Sequence, residues 1–428
     1  MTSIFNRWLM LSLYVSTGSI LVFAHGFAGA GSLFTAAFMA GSTLALFLSS
    51  RRANFTIDLC DLLFGMFICC IAISFAVNEI RSDPKEIALL ALSLVAYPSA
   101  RFFAGSKAIA PSFVLCTAVV AIIGAVLTIP ALPEQWSDSY GRPHPVVFGE
   151  FGAATLQFTL SLGFLMIALV CMKLTTRQAI AARILVVMLT MVFAASFVRF
   201  SFVAIGAALT FALLSSPAHG RRYAATMICL MIVGVIIGNV ARIELAARFS
   251  SYVPAAVPAQ VVALTPIAIR ADEGVEGQAK SGENGTNRRT SCPIIDLQDS
   301  IAIRKQLYLD AFAILPSAGP FGIGMDHFMG KSCIKDSQIH NTILQAAVEL
   351  GWIAAAILVA LLIFAGFSLW RLAHCTAEAR FALCALVFVV TLAMAHGRIS
   401  HDSLVFLFLG YAAGVRVLFV QSGKAPGT

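Results

Sequence analysis

The stretch IHNTILQAAVELGW, residues 339–352, lies where a long polar segment ends and an apolar run resumes. That polar segment, 241–348, interrupts a chain that is apolar almost throughout. Of its 428 residues 59% are hydrophobic and 12% are charged, and the mean hydropathy is +0.89. Repeated apolar runs of about 18 or more residues indicate transmembrane helices, and this composition excludes a soluble globular domain. We therefore expect an all-α, multi-pass membrane protein.

The apolar runs predict about twelve transmembrane helices, of which the seventh and eighth are short and joined by almost nothing. The chain divides into helices 1–9 within residues 1–240, a large loop over 241–348, and helices 10–12 within residues 349–428. The predicted spans are 8–24, 27–49, 57–76, 86–103, 108–129, 148–171, 183–197, 200–216, 222–240, 349–370, 378–396 and 401–420.

The distribution of Lys and Arg predicts the orientation of these spans. If the N-terminus is cytoplasmic, the cytoplasmic loops carry most of the basic residues of the short loops, including the pairs Arg51–Arg52 and Arg221–Arg222. The long loop, and His340 with it, then lies outside the cytoplasm. The net charge of +8 follows from this bias, so it gives no argument for nucleic acid as a partner.

The long loop contains two kinds of sequence. Residues 271–293 are rich in Gly, Glu, Asn and Lys, which predicts a flexible insertion. Residues 299–315 place Ile303, Leu307, Phe312 and Leu315 at helical spacing, which predicts an amphipathic helix that rests on the membrane portion and stops at Pro316. A glycine-rich turn over 317–328 follows.

The loop also contains two cysteines, Cys292 and Cys333, whereas the other eight lie in or beside helices. In an oxidising compartment the two can form a disulfide across the loop. The alternative is a pair of free thiols.

Charged groups near the apolar phase are costly, and each therefore needs a reason. On the loop side these are Arg142, Arg199, Arg304, Arg398 and His340. Arg199 lies between two apolar runs and either extends to lipid headgroups or binds an anion. For Arg142 an ordinary loop cation is the stronger alternative. Arg304 begins the amphipathic helix, where the helix dipole favours an acid, and this mismatch favours a functional role.

The run that begins at His340 carries Asn341, Gln345 and Glu349 at a spacing of four residues, which predicts one polar stripe that points into the bundle. Helix capping and interhelical hydrogen bonds would account for the last three. A histidine with a pKa of about 6.5 can also act as a general base.

Four residues at the outer end of the last helix pair could orient that base or bind a ligand, although histidines at helix ends are often merely interfacial. They are His396, Arg398, His401 and Asp402.

Several motifs are absent from the sequence: a Walker loop, a Rossmann glycine pattern, GxSxG, CxxC and a DxD pair. We therefore predict no cofactor and no metal site. A phosphate group would have to be bound by arginines, whose planar guanidinium suits bidentate contact with phosphate oxygens.

Four segments in order resemble the O-antigen ligase and polymerase superfamily of bacterial envelope-glycan enzymes. They are GRPHPVVFGEFG at 141–152, SFVRFSFVAIG at 196–206, IRKQLYLDAFAILPSAGPFGIGMDHF at 303–328 and HNTILQAAVELGW at 340–352. The last two are the specific part of the resemblance. The second departs from the family pattern around Arg199, although its arginine is retained.

The resemblance implies a GT-C-like fold in the bacterial inner membrane, with the active site on the periplasmic side. It also implies transfer of a glycan from undecaprenyl diphosphate to an acceptor sugar, with inversion and without a metal. His340 would then be the base, and Arg142, Arg199 and Arg304 would bind the diphosphate and stabilise the leaving group.

The acceptor separates the remaining interpretations. A ligase uses lipid A-core, which we favour, and a polymerase uses a second carrier-linked glycan. A transporter for lipid-linked glycan is a third interpretation. Transporters usually show internal repeats and polar, broken helices near the midplane, whereas this chain concentrates its polar groups at the outer edge.

Overall fold

The computed structural model describes residues 2–28, 32–49, 56–79, 82–104, 109–134, 146–147, 150–151, 156–196, 199–252, 292–293, 300–335 and 337–421. The helices of these segments are α1 Thr2–Val15, α2 Thr17–Ala28, α3 Ser32–Ser49, α4 Leu59–Val77, α5 Pro84–Arg101, α6 Pro111–Glu134, α7 Leu156–Cys171, α8 Thr176–Ala195, α9 Arg199–Ser215, α10 Ala218–Tyr252, α11 Ser300–Ala318, α12 His327–Lys331, α13 Thr342–Gln345, α14 Trp352–Ala373, α15 Ala377–His396 and α16 Ser403–Gln421. A π-helical turn, Ala346–Leu350, joins α13 to Gly351, and strands β1 Val146–Val147 and β2 Glu150–Phe151 pair antiparallel.

Seven helices within the described residues are long and apolar enough to cross a membrane: α4, α6, α8, α10, α14, α15 and α16. Shorter apolar helices cover Ala36–Leu48, Gln157–Cys171 and Arg199–Ser215. Each predicted span overlaps a helix, and the chain is a helical, multi-pass membrane protein.

Three predicted boundaries were wrong. The span 8–24 is two helices that meet at Ser16, where the hydroxyls of Ser12 and Thr17 bond back to helix carbonyls, a contact that bends helices. Helix α8 is not short, because a capping box at Thr175 starts it before the predicted span. Helix α10 continues beyond residue 240 to Tyr252, because the Ala, Arg, Leu and Glu residues of this stretch favour a helix although some are charged.

Helices α15 and α16 form the centre of the bundle, since 72% of the most apolar stretch of α15 and 67% of that of α16 are buried. Helix α16 packs on α5, and α15 packs on α9. Rings of Trp8, Phe113 and Phe381 meet edge to face in this core, with centroids 5.3–5.6 Å apart.

Charged side chains gather at the two ends of the bundle. We call one end the loop end; it contains Glu86, His396 and Ser403, and α11–α13 lie against it. At the opposite end Arg101 pairs with Asp61 at 3.0 Å.

Helix α11 lies on a small core of its own. Leu307 and Ala311 are buried together with Phe328 and Val348, whereas Phe312, which we predicted on the inner face, is 59% exposed. The small Ala311 allows close approach at a position that the apolar spacing did not identify. The predicted stop at Pro316 was wrong, because α11 continues to Ala318. A proline within a helix removes only one backbone hydrogen bond, and here Gly319, at φ 70°, ends the helix.

Candidate functional site

The segment that begins at His340, which we predicted as one continuous helix, is broken at Gly351. Helix α13 begins at Thr342, the π-helical turn follows, and Gly351 adopts φ 102° before α14 begins. The glycine-rich turn packs on this break through backbone bonds: the Ile323 amide donates to the Val348 carbonyl, and the Gly324 amide donates to the Glu349 carbonyl, each at 3.0 Å. Only glycine allows this approach at residue 322, where a Cβ would lie 2.3 Å from the Glu349 carbonyl oxygen.

The end of α4 holds the glycine-rich turn against the bundle. Ser74 and Asn78 donate to the Phe321 carbonyl at 2.8 and 3.2 Å, and Ser82 donates to the Met325 carbonyl at 3.0 Å. The turn is therefore attached to a membrane helix on one side and to the π-helical turn on the other.

His340 lies two residues before the start of α13 and is half-buried. Asn341 caps the helix by accepting from the Leu344 amide at 3.0 Å, and the Tyr308 hydroxyl donates to the His340 carbonyl at 3.3 Å. Burial lowers the pKa of the imidazole below 6.5, and the positive charges of Arg304 and Arg398 lower it further. The imidazole is therefore neutral at pH 7 and can accept a proton.

Arg304 and the beginning of α9 meet at His396. Arg304 Nη2 lies 3.1 Å from His396 Nδ1, and the Phe200 ring packs edge-on against the same imidazole. Arg199 precedes Phe200, is exposed and interacts electrostatically with Arg242. Arg142 lies outside the described residues, as do residues 271–291 of the predicted insertion.

Arg398 lies between two carboxylates. Its Nη2 is 3.1 Å from Asp326 Oδ1 and 3.2 Å from Glu86 Oε2. Glu86 also accepts from Ser400 at 2.8 Å and lies 3.2 Å from His401 Nε2. Arg398 and His401, which we predicted as supporting residues, thus belong to one polar network around Glu86 that joins α5 to the α15–α16 turn.

Two further residues of the predicted polar stripe, Gln345 and Glu349, are fully buried. Burial raises the pKa of Glu349 to about 8, although the hydrogen bond from Gln345 acts in the opposite direction. Asn341, the remaining residue of the predicted stripe, is half-buried and caps α13. The buried part of the stripe is therefore shorter than predicted.

A cavity of about 370 Å³ opens beside this network. Its walls are largely apolar, with Leu21, Leu160 and Leu392 among them. Its polar lining includes Lys85, Gln157, His396, Arg398, His401 and Asp402. Burial raises the pKa of Asp402 to about 7, although the hydrogen bond that it accepts from Thr342 lowers it.

Four charged residues in or near the site were not identified from the sequence: Lys85, Glu86, Arg242 and Asp326. Arg242 followed the predicted end of the ninth span and was counted as loop. Asp326 adopts φ 62°, which is uncommon for a residue other than glycine, inside the glycine-rich turn. Its place in that turn was a usable signal, whereas nothing local distinguishes Glu86 from an ordinary acid in a first helical turn.

The structure joins Cys292 to Cys333, with Cα atoms 5.5 Å apart. Asp310 of α11 accepts from the Ser332 hydroxyl and the Cys333 amide, both at 2.8 Å, so this part of the loop is tied to α11. In the described segments no three His, Cys, Asp or Glu side chains gather as metal ligands. Comparisons with protein-family models, with curated proteins and with solved structures give no match to this chain.

Proposed function

We propose that this protein is a glycosyltransferase that moves a glycan from undecaprenyl diphosphate to an acceptor sugar at the periplasmic face of the bacterial inner membrane. One observation carries the proposal: His340, a half-buried imidazole of lowered pKa at one end of the membrane bundle, is subject to the positive charges of Arg304 and Arg398. A neutral base beside fixed cations suits a reaction in which a hydroxyl attacks and a diphosphate leaves.

In the proposed step the acceptor oxygen forms a bond with the anomeric carbon, and the bond from that carbon to the diphosphate oxygen breaks. The hydroxyl proton moves to the His340 imidazole and then to water. Undecaprenyl diphosphate leaves with both bonding electrons, and attack from the opposite face inverts the anomeric centre. The step needs neither a metal nor a cofactor.

Arg304, Arg199 and Arg142 are the proposed diphosphate ligands. The contact between Arg304 and His396, together with the contact of Phe200 with the same ring, supports a common site for the first two. Arg398 has a different proposed role, because its guanidinium is already held by two carboxylates. It acts on His340 through its charge and through the network that it organises.

The cavity supports an amphiphilic substrate. A largely apolar lining that also contains Lys85, Arg398 and His401 would suit a lipid that bears a phosphate group. The proposal includes about twelve membrane crossings in a GT-C-like arrangement, because each predicted span overlaps a helix.

The proposed acceptor is lipid A-core, which makes the protein an O-antigen ligase. A polymerase that extends a carrier-linked glycan would use the same donor chemistry. Deleting the protein and separating envelope glycans on a gel distinguishes the two: loss of every capped lipid A-core indicates a ligase, and retained single-repeat capping indicates a polymerase.

Reconstitution tests the proposal directly. The purified protein in lipid vesicles is given a defined undecaprenyl diphosphate glycan and candidate acceptors, and product is measured by mass. His340→Ala should abolish transfer, whereas His374→Ala, an exposed histidine at the opposite end, should not. Full transfer by His340→Ala would refute the assignment of the base. Carrier movement across the vesicle without transfer would instead identify a transporter.

A further inference from the structure

The Gln345 side chain bonds to three separate parts of the loop end. Its Nε2 donates to Glu349 Oε2 at 2.8 Å and to Gln338 Oε1 at 3.3 Å, and its Oε1 accepts from the Ile399 amide at 3.0 Å. Gln338 is two residues before His340, and Ile399 directly follows Arg398. The fully buried Gln345 amide thus holds both the segment that carries His340 and the segment that carries Arg398.

These bonds close a ring. Gln338 Nε2 donates to Asp326 Oδ1 at 2.6 Å, and Arg398 Nη2 donates to the same oxygen at 3.1 Å. The backbone from Arg398 to Ile399 leads back to Gln345. The ring therefore joins α13, the His340 segment, the Asp326 turn and the α15–α16 turn, although its members are distant in sequence.

We infer that Gln345 is a positioning residue that sets the location of His340 relative to Arg398, an inference that rests on the proposed function. It goes beyond that function because Gln345 acts through its bonds to Gln338 and Ile399 and not on the substrate. A displacement of about 1 Å at a reacting group can cost a factor of about 100 in rate, so such a residue affects turnover without contact with substrate.

The chemistry of the position requires an amide. An amide offers one acceptor and two donors, which matches the Ile399 amide, Gln338 and Glu349. The Ile399 N–H fixes the orientation of the amide, because only an oxygen can face that donor. A glutamate has no donor when ionised and would place a second carboxylate against Glu349. A leucine preserves much of the volume and removes all three bonds.

Glu349 accepts a hydrogen bond from the Gln345 amide and links it to the glycine-rich turn. Its backbone carbonyl accepts from the Gly324 amide, so the acid is attached to the same glycine-rich turn that carries Asp326. Burial raises the pKa of Glu349 to about 8, so the acid is largely neutral at pH 7 and the bond from Gln345 places no full charge in the core. Glu349→Gln retains an acceptor for Gln345 and is the matched conservative variant.

The test measures kcat and KM for the carrier-linked donor, with the full chain in lipid nanodiscs. Gln345→Leu should lower kcat by about tenfold to a hundredfold while KM changes by less than about twofold, since positioning affects the chemical step. Glu349→Gln should retain most of the activity. Thr117→Val removes a buried hydrogen bond that is confined to α6 and controls for general destabilisation.

The outcomes separate the inference from the proposed function. If His340→Ala is inactive and Gln345→Leu equals the wild type, the positioning role is overturned and the transferase remains. Gln345→Leu with a raised KM and unchanged kcat also overturns it. If His340→Ala transfers glycan normally, the proposed function itself fails. Should Gln345→Leu not yield folded protein, Gln338→Leu breaks the ring in the loop and must show the same loss of kcat.

Discussion

Arg304 Nη2 lies 3.1 Å from His396 Nδ1. Because a guanidinium only donates hydrogen bonds, His396 Nδ1 is the acceptor in this contact. This contact attaches the loop helix α11 to the end of the membrane helix α15 through a candidate substrate-binding residue. Any displacement of α11 would therefore move a guanidinium of the site.

Arg304→Lys keeps the positive charge and loses the planar, two-pronged donor. We expect transfer to fall at least about tenfold and KM for the carrier-linked donor to rise, because one ammonium cannot bind phosphate oxygens as a bidentate guanidinium does. Steady-state kinetics in nanodiscs measure both. Arg371→Lys is the control, because Arg371 lies in the last turn of α14, at the end of the bundle opposite the loop end. Equal kinetics for Arg304→Lys and the wild type would contradict a bidentate role.

The pH dependence of kcat/KM should show an acidic limb below pH 6.5. Burial and the charges of Arg304 and Arg398 lower the pKa of His340, so the rate rises as pH increases through that lowered pKa and is level at neutral pH. Arg304→Ala removes one cation and should move the limb to higher pH. A limb that moves to lower pH, or does not move, would separate Arg304 from the titrating group.

Glu349→Gln should reduce the pH dependence of stability. The pKa of Glu349 is raised from 4.5 to about 8, so its stabilising contribution is complete below pH 4.5 and is lost as pH rises towards 8. The wild type should therefore melt at a lower temperature at pH 9 than at pH 6, and the variant should show a smaller difference. Thermal unfolding in detergent at both pH values measures this. Identical pH differences in the two proteins would indicate that Glu349 ionises normally.

The disulfide between Cys292 and Cys333 should stabilise the loop. It closes a sequence separation of 41 residues, for which chain entropy predicts about 3 to 4 kcal/mol. Cys333→Ser should lower the melting temperature, whereas Cys229→Ser, which changes an exposed free thiol, should not. Maleimide labelling of Cys292 and Cys333 should require reductant. Equal labelling with and without reductant would show free thiols.

Gly322→Ala should damage the site by way of the backbone. Residue 322 has φ 75°, and a Cβ there would meet the Glu349 carbonyl oxygen. We expect destabilisation of at least about 1 to 3 kcal/mol, together with reduced transfer. Gly330→Ala meets no atom within 4 Å and provides the control. A Gly322→Ala protein as stable and active as Gly330→Ala would show that the glycine-rich turn can move.

The sequence predicted the class of the fold because long apolar runs have few alternatives to membrane helices. It placed a helix in the loop, and it singled out His340, Arg304 and Arg398, of which the two arginines act on the His340 imidazole through their charges. It misplaced the start of α8 and the end of α10, where polar helical turns resemble loop. It also misjudged Phe312, because the contact of α11 with its neighbours depends on the small Ala311.

By itself the sequence determined which segments are apolar enough to enter a membrane and which charged groups remain at their ends, because both are local properties of the chain. Only the tertiary structure decided that Gln345 joins Gln338 to Ile399, that Arg398 is held by Glu86 and Asp326, and that the helix after His340 breaks at Gly351. These contacts join residues that are distant in sequence. No local pattern encodes which distant donor meets which acceptor, since that choice depends on how whole helices pack.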